Sequence, residues 1–494
     1  MFEAFVHGLG SIFDPTVFFS MLGAVVLGII FGIIPGLGGM TFLAVLIPFA
    51  FGMDPLLALT VLLAGHAVVH TSGGISAILL NVPGTSVNAP TLLDGFPMAQ
   101  QGKAGRAIGN AVTASAVGGV FGGIVMVLVL PLLHPIIMAF ASPELFLLCI
   151  LGITFIATLS SASVVKGLIA GAAGVILSLV GLDPITGTSR LAFGSIYLTD
   201  GIRIIPIMLG IFAVPEVVNL MVTGKTIAQT GSMATARSDL VQGVKDVFRH
   251  WWLLLRTSTI GALIGILPGI GAEVAVWVCY GHAKQTSRHP ERFGYGAEEG
   301  IIAPEAANNS KEGGALIPTL GFGIPGSAGM AVLLGAFLVL GLVPGPMFLV
   351  EHMDICFAMV GALVISNIMA AIICLGAAQH LAKITFTPAR LLAPVILGVL
   401  VLGTYCYKNT MLDIVSLLVF GAMGYAMARF GYPRPPFILG FILGSLAETY
   451  LHLSVKAIGP LFFLRPICLV LSSLLILTLA YPFIRSMLQR MKRT

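Results

Sequence analysis

Two stretches of this chain place small polar side chains beside a proline–glycine pair, where they could hold a small anion. Proline and glycine interrupt a helix, so backbone N–H groups are freed at the start of the segment that follows. Such N–H groups attract anions, and hydroxyl and amide side chains add hydrogen-bond partners. We therefore expect substrate binding at these residues: Asn81, Gly84, Thr85, Ser86, Asn88, Gly326 and Ser327.

A second pair of breaks lacks hydroxyl side chains and is predicted to be a scaffold or an ion site. Pro268 lies 233 residues after Pro35, and Pro325 lies 242 residues after Pro83. This paired spacing predicts two related halves organised around four breaks. The scaffold or ion-site candidates at these breaks are Pro35, Gly36, Gly38, Gly39, Pro268, Gly269 and Gly271. The polar residue Asn308, which lies outside the breaks, is a further candidate.

The elements that carry these breaks are predicted to be membrane-spanning helices. Hydrophobic residues make up 57% of the 494 residues, charged residues only 9%, and the mean hydropathy is +1.04. A soluble domain carries roughly 25% charged residues, whereas many windows here reach the ~20 apolar residues that cross a bilayer. We predict an all-α polytopic membrane protein with about 10–12 spanning segments and broken, re-entrant helices.

Charge patterning predicts how the chain is organised and oriented. It separates a first transmembrane half, 1–222, a polar cytoplasmic linker, 223–250, and a second transmembrane half, 251–494. Basic loops stay in the cytoplasm, which puts the linker and the C-terminus inside and the N-terminus outside. The two halves then run in opposite directions, as in the inverted repeats of secondary transporters. A parallel duplication is the alternative.

Two histidines form a weaker signal. His66 and His70 lie four residues apart, on one side of a helix, but no carboxylate or cysteine stands at metal spacing. We therefore predict no metal site and expect a polar lining or a packing role for them. The alternative is an intramembrane hydrolase or lipid-modifying enzyme that uses one of these two rings.

The segment 298–312 is the densest polar cluster beside an apolar run. Its glutamates are interpreted as part of a solvated helix, while Asn308 and Lys311 stay open between a solvated and a functional role. Aligning the glycine pairs of the two halves matches Asn308 with Val68. Asp94 is interpreted as a surface residue.

No Walker A, HExxH, nucleophile-elbow or kinase-type motif is present, so energy for transport is expected from an ion gradient or from another chain. The coupling ion would be Na⁺ or H⁺, and no cofactor is predicted. Basic cytoplasmic loops explain the net charge of +5, so nucleic-acid binding is not expected. The residues favour a secondary transporter in the lipid bilayer, not an enzyme; a channel is a third possibility.

The signatures at Gly28–Gly39, His70–Gly74, Asn81–Gly84 and Ile324–Gly326 resemble TctA, the large membrane subunit of tripartite tricarboxylate transporters. The resemblance implies a bacterial inner-membrane symporter that imports a tricarboxylate or dicarboxylate, such as citrate, without ATP. It also implies two partners, a small four-helix membrane subunit (TctB-like) and a periplasmic solute-binding protein (TctC-like). The N-terminus would be periplasmic and the C-terminus cytoplasmic.

Overall fold

The structure, a computed structural model, describes residues 2–34, 36–137, 139–159, 163–183, 185–223, 237–268, 271–378, 380–381 and 389–491. Two predicted site residues, Pro35 and Gly269, lie outside the described residues, as do residues 224–236 of the predicted linker.

Helices dominate the first half. They are α1 (Phe2–Ser11), α2 (Pro15–Ile33), α3 (Gly39–Ala50), α4 (Pro55–Leu80), α5 (Ala89–Met98), α6 (Ala104–Ile137), α7 (Ser142–Leu159), α8 (Val164–Ser178), α9 (Ile196–Thr199), α10 (Ile204–Met208) and α11 (Val214–Thr223). A short 3₁₀ turn, Ser86–Asn88, precedes α5, and the antiparallel strands β1 (Gly181–Leu182) and β2 (Ser189–Arg190) follow α8.

The second half is also helical. Its helices are α12 (Arg237–Arg249), α13 (Trp251–Ile266), α14 (Gly271–Thr286), α15 (Glu298–Phe322), α16 (Ala328–Val339), α17 (Pro346–Glu351), α18 (Met353–Gly376), α19 (Ala389–Lys408), α20 (Met411–Arg429), α21 (Arg434–Ile458) and α22 (Pro466–Met491).

Local chemistry explains where the central helices begin and end. Asp54 caps α4 by accepting from the N–H groups of Leu56 and Leu57, and Pro55 occupies the first turn, where its missing N–H costs nothing. The helix ends because Asn81 adopts a left-handed conformation, with φ 55°. Gly323, with φ 68°, ends α15 in the same way. Both ends fall at predicted breaks.

Length and composition agree with a multi-pass membrane protein. Six of the described helical stretches are long and apolar enough to span a bilayer, and eight shorter apolar helices accompany them. The all-α polytopic class is thus confirmed, while a total of 10–12 spans stays a prediction. The long stretches are Pro15–Ile33, Pro55–Leu80, Ser86–Leu133, Met353–Gly376, Met411–Arg429 and Arg434–Ile458.

Equivalent packing contacts recur in the two halves. A Cβ on Gly28 would meet the backbone of Gly65, and a Cβ on Gly261 would meet the backbone of Ala307. Gly261 lies 233 residues after Gly28, and Ala307 lies 242 residues after Gly65, which are the offsets of the predicted repeat. Helices of each half also pack against helices of the other half. In the first half, α1 and α4 contact α18 of the second, and α12 and α15 of the second half contact α6 of the first. Inversion across a membrane stays a prediction.

These contacts correct the alignment of the two central helices. An offset of 242 residues matches Asn308 with His66, not with Val68, and Glu312 with His70. The glycine pairs mislead because they make different contacts. Gly73 and Gly74 leave room for polar side chains, while Gly313 packs against the backbone of Gly122.

Candidate functional site

The central helix α15 is buried, although its sequence is polar. Every residue from Gly300 to Gly321 is shielded from solvent, and α4, α6, α13 and α14 pack around it. The interpretation of its glutamates as part of a solvated helix is therefore wrong for Glu305 and Glu312, which are fully buried. The apolar environment is supplied by neighbouring helices, which the local sequence of α15 does not reveal. Buried charges need partners, and these define two centres.

The first centre joins two histidines of α4 to a lysine and a glutamate of α15. His66 Nε2 and His70 Nε2 lie 3.5 and 3.3 Å from the same oxygen, Glu312 Oε1. The Lys311 ammonium contacts this oxygen as well. Glu312 is therefore the carboxylate that the spacing of the histidines did not provide. Because a cationic ammonium occupies the shared oxygen, the arrangement does not favour a metal cation there.

The ring of His66 lies between the N-termini of α3 and α16. A Cβ on Gly39, at the start of α3, or on Gly329, in the first turn of α16, would collide with this ring. Neither ring nitrogen of His66 has a hydrogen-bond partner among the described residues. The centre thus combines an unsatisfied imidazole with two helix N-termini, which favour negative charge.

The second centre surrounds Glu305 with neutral donors. Asn88 Nδ2 and Thr91 Oγ1 donate to Glu305 Oε1 at 3.0 and 2.6 Å, and Asn308 Nδ2 lies 3.5 Å from Oε2. Among the described residues, no cationic side chain pairs with this carboxylate. The Oδ1 atom of Asn308 has no partner either. An isolated buried carboxylate requires a proton or a bound cation.

A chain of contacts connects the two centres. From Glu312, the path runs through His70 to Thr85, with 3.5 Å between His70 Nδ1 and Thr85 Oγ1. Thr85 Oγ1 donates to Asn88 Oδ1 at 2.6 Å, and Asn88 Nδ2 then reaches Glu305. All five side chains are buried.

The donors along this chain set the orientation of the Asn88 amide and of the Thr85 hydroxyl. Asn88 Nδ2 also donates to the carbonyl oxygen of His70, so Oδ1 of the amide must face Thr85 and accept its hydroxyl proton. The oxygen of Thr85 then accepts, so His70 contributes its Nδ1–H to the 3.5 Å contact with Thr85. His70 Nε2 faces Glu312 Oε1 at 3.3 Å.

Glycines allow these polar groups to approach α4 and the helix breaks to close. A Cβ on Gly73 would strike the Asn88 amide, and one on Gly74 would lie 2.9 Å from Glu305 Oε1. At the breaks, a Cβ on Gly84 would collide with the carbonyl oxygen of Gly32, and one on Gly326 would lie 2.7 Å from that of Gly265. Larger residues do not fit at these four positions.

The predicted site residues fall into three groups. Thr85, Asn88 and Asn308 belong to the two centres and the path between them. Gly84, Gly326 and Ser327 form the adjoining breaks, where Ser327 caps α16, while Gly38 and Gly39 begin α3. Of the remaining candidates, Asn81, Ser86 and Gly36 are exposed, Pro268 lies in the turn after α13, and Gly271 begins α14.

Asp94 is a further correction, because it is fully buried. Its Oδ1 accepts from the N–H groups of Gly294, Gly296 and Ala297 at 2.8–3.0 Å, and Tyr280 donates to Oδ2. The carboxylate thereby ties the loop before α15 to α5. Those donors come from the other half of the chain, so local sequence could not indicate them.

Glu305, Glu312 and Thr91 were not among the predicted site residues. One signal could have identified the glutamates: residues 305, 308, 309 and 312 follow helical spacing and share one face of α15. Asn309 uses that face too, since it donates to Thr71 at 2.8 Å and contacts Asn367. A polar stripe on a helix whose counterpart in the first half is long and apolar enough to span a bilayer predicts burial around a site.

Comparison with known proteins agrees with the architecture. The model of the tripartite tricarboxylate transporter TctA family matches residues 18–439. An uncharacterized 52.8 kDa protein from the TAR-I ttuC' 3' region of Agrobacterium vitis is 32% identical over 438 residues, 87% of this chain and 85% of that protein. A second uncharacterized protein, from the TAR-II ttuC' 3' region, is 35% identical over 39% of this chain and 79% of its own length. No solved structure matches. The chain is therefore a member of the tripartite tricarboxylate transporter TctA family and a multi-pass membrane subunit of such a transporter.

Proposed function

We propose that this subunit imports a small carboxylate across the bacterial inner membrane by ion-coupled alternating access. A periplasmic solute-binding protein would deliver the tricarboxylate or dicarboxylate, and a small four-helix subunit would complete the membrane part. The observation that carries this proposal is the pair of buried, connected polar centres on α4 and α15, of which one holds a lysine and two histidines and the other a glutamate among neutral donors.

The first centre is proposed to bind the substrate. His66, His70 and Lys311 surround Glu312 beside the beginnings of α3 and α16, whose N-termini favour negative charge. A carboxylate group would supply the hydrogen-bond acceptor that His66 lacks among the described residues. The substrate would thus bind at a helix-terminus anion site, as secondary transporters commonly do.

The second centre is proposed to take the coupling ion. Glu305 has neutral donors around it and no cationic partner among the described residues, so entry of H⁺ or Na⁺ would neutralise it. Asn308 Oδ1 is a free oxygen ligand beside it. Because the path through Asn88, Thr85 and His70 joins both centres, occupancy of one would change the energy of the other.

The test is uptake into proteoliposomes that contain both membrane subunits, with binding protein loaded with candidate carboxylates. We expect accumulation to require one imposed gradient, of Na⁺ or of H⁺, and to need no ATP. Uptake that is unchanged by either gradient would rule out ion coupling. Equal uptake without the binding protein would contradict the proposed delivery step but not the proposed mechanism in the membrane.

An enzyme that uses His66 or His70 is not favoured. A histidine–carboxylate contact exists, but His66 is 2% exposed and Glu312 is fully buried, so water does not reach it in this conformation. The family to which the chain belongs consists of transporter components. A hydrolytic activity that disappears in the His66→Ala/His70→Ala double variant would revive the alternative.

A further inference from the structure

A basic pocket lies away from the two centres, where the ends of α12, α13, α14 and α15 meet. Its volume is about 690 Å³, and five arginines line it against two glutamates. The arginines are Arg106, Arg249, Arg256, Arg288 and Arg292. The pocket is therefore strongly electropositive, and neither proposed centre uses it.

Among the described residues, ion pairs involve two of the five arginines and leave three without one. Arg106 pairs with Asp246 and Glu298, and Arg292 lies 3.9 Å from Glu298. The second glutamate, Glu299, lies 3.8 Å from His250. Arg249, Arg256 and Arg288 have no ion pair among the described residues. The Nε atom of Arg256 is buried and lacks a hydrogen-bond partner there. Buried donors of this kind call for an anionic ligand.

The pocket opens beside an apolar surface. Trp251 and Trp252 line it and are 60% and 55% exposed, and the outward faces of α13 and α14 continue with exposed apolar side chains. These side chains are Leu255, Leu263, Val274, Trp277 and Val278. Exposed tryptophans are typical of the headgroup level of a bilayer, and an exposed apolar helix face is typical of contact with acyl chains.

We propose that this pocket binds the phosphate headgroup of an anionic phospholipid, with its acyl chains along α13 and α14. Guanidinium groups suit a phosphate because their parallel N–H donors match its oxygens. A free phosphate would satisfy the arginines equally well, but it would leave the adjoining tryptophans and apolar face without a function. The lipid source is therefore favoured over a soluble anion.

The tryptophans provide the assay, because the chain contains only three and all of them lie at this surface. Their fluorescence is measured in bilayers of phosphatidylcholine with small fractions of brominated phosphatidylglycerol or brominated phosphatidylcholine. We expect brominated phosphatidylglycerol to quench with at least about fivefold higher relative affinity, as one favourable arginine contact implies. In the Arg256→Gln/Arg288→Gln double variant, the ratio of the affinity for phosphatidylglycerol to that for phosphatidylcholine should fall to about one.

Matched controls separate pocket binding from general charge. Lys245→Gln/Lys284→Gln removes the same charge from exposed positions that do not line the pocket, and it should keep the preference. Arg288→Gln alone should lose part of this preference, and its exposed position makes a change in stability of more than about 0.5 kcal/mol unexpected. An equal preference in the double arginine variant, or none in the wild type, would overturn the proposal. Displacement of the lipid by millimolar inorganic phosphate would overturn the lipid source and identify a soluble-anion site.

Discussion

Replacing Glu305 with glutamine would separate ion coupling from folding and from substrate passage. Glutamine keeps an oxygen that can accept from Asn88 and Thr91, and its new amide can donate to the unpartnered Oδ1 of Asn308 after a flip. The hydrogen-bond inventory is thus nearly preserved, and we expect the free energy of unfolding to change by about 1 kcal/mol or less. What disappears is the negative charge that would attract the coupling cation.

The expected transport effect follows from the energy of one ion. A single coupling ion that moves down a tenfold gradient contributes about 1.4 kcal/mol, enough for about tenfold accumulation of the substrate. In proteoliposomes, Glu305→Gln should therefore reduce gradient-driven accumulation to the level set by the substrate gradient alone. Substrate exchange between equal concentrations, which needs no net ion movement, should continue.

The matched control is Glu291→Gln, which makes the same chemical change at an exposed carboxylate. It should leave both accumulation and exchange unchanged. If the Glu305 variant accumulates substrate as well as the wild type, the reasoning about the isolated carboxylate is refuted. If the folded variant loses exchange as well as accumulation, Glu305 acts in substrate passage instead.

Three further predictions follow from the packing of the site. His66→Asn introduces the residue found at the equivalent position of α15 and removes imidazole donors, so the KM for carboxylate uptake should rise about tenfold or more; unchanged KM would argue against the first centre as the substrate site. Gly84→Ala should destabilise the protein by about 1–3 kcal/mol in thermal unfolding, because its Cβ meets backbone, whereas Gly23→Ala, which meets open space, should not; equal melting temperatures would contradict the close approach. Asp94→Asn should cost about 1–3 kcal/mol and speed hydrogen exchange in 293–297, unlike exposed Asp200→Asn; unaltered exchange would mean that the carboxylate does not hold this loop.

Sequence patterns could predict the helix breaks but not the burial of charge. Proline, glycine and asparagine act locally through backbone conformation, so the ends of α4 and α15 were predictable from their own residues. The roles of Glu305 and Glu312 depend on helices hundreds of residues away, and Glu305 meets Asn88 across 217 positions. Local composition therefore suggested that α15 is exposed to solvent, whereas the surrounding helices bury it.

The burial of individual polar residues depends on tertiary contacts for the same reason. Asn88 and Thr85 follow a break directly, and the N-terminal turn after that break directs them to α4 and α15. Asn81 and Ser86 lie in the same stretch but are exposed, because successive residues of a turn point in different directions. Only the tertiary contacts decide between such neighbours.

We propose that a cation at Glu305 and a carboxylate near His66 favour each other's binding. The most direct measurement is the equilibrium Kd of the purified protein for a carboxylate that supports uptake, titrated at several Na⁺ concentrations and several pH values. We predict that Kd falls as one of these two cations increases, reaches a plateau, and becomes independent of that cation in Glu305→Gln. A wild-type Kd that is constant across both series would contradict the account.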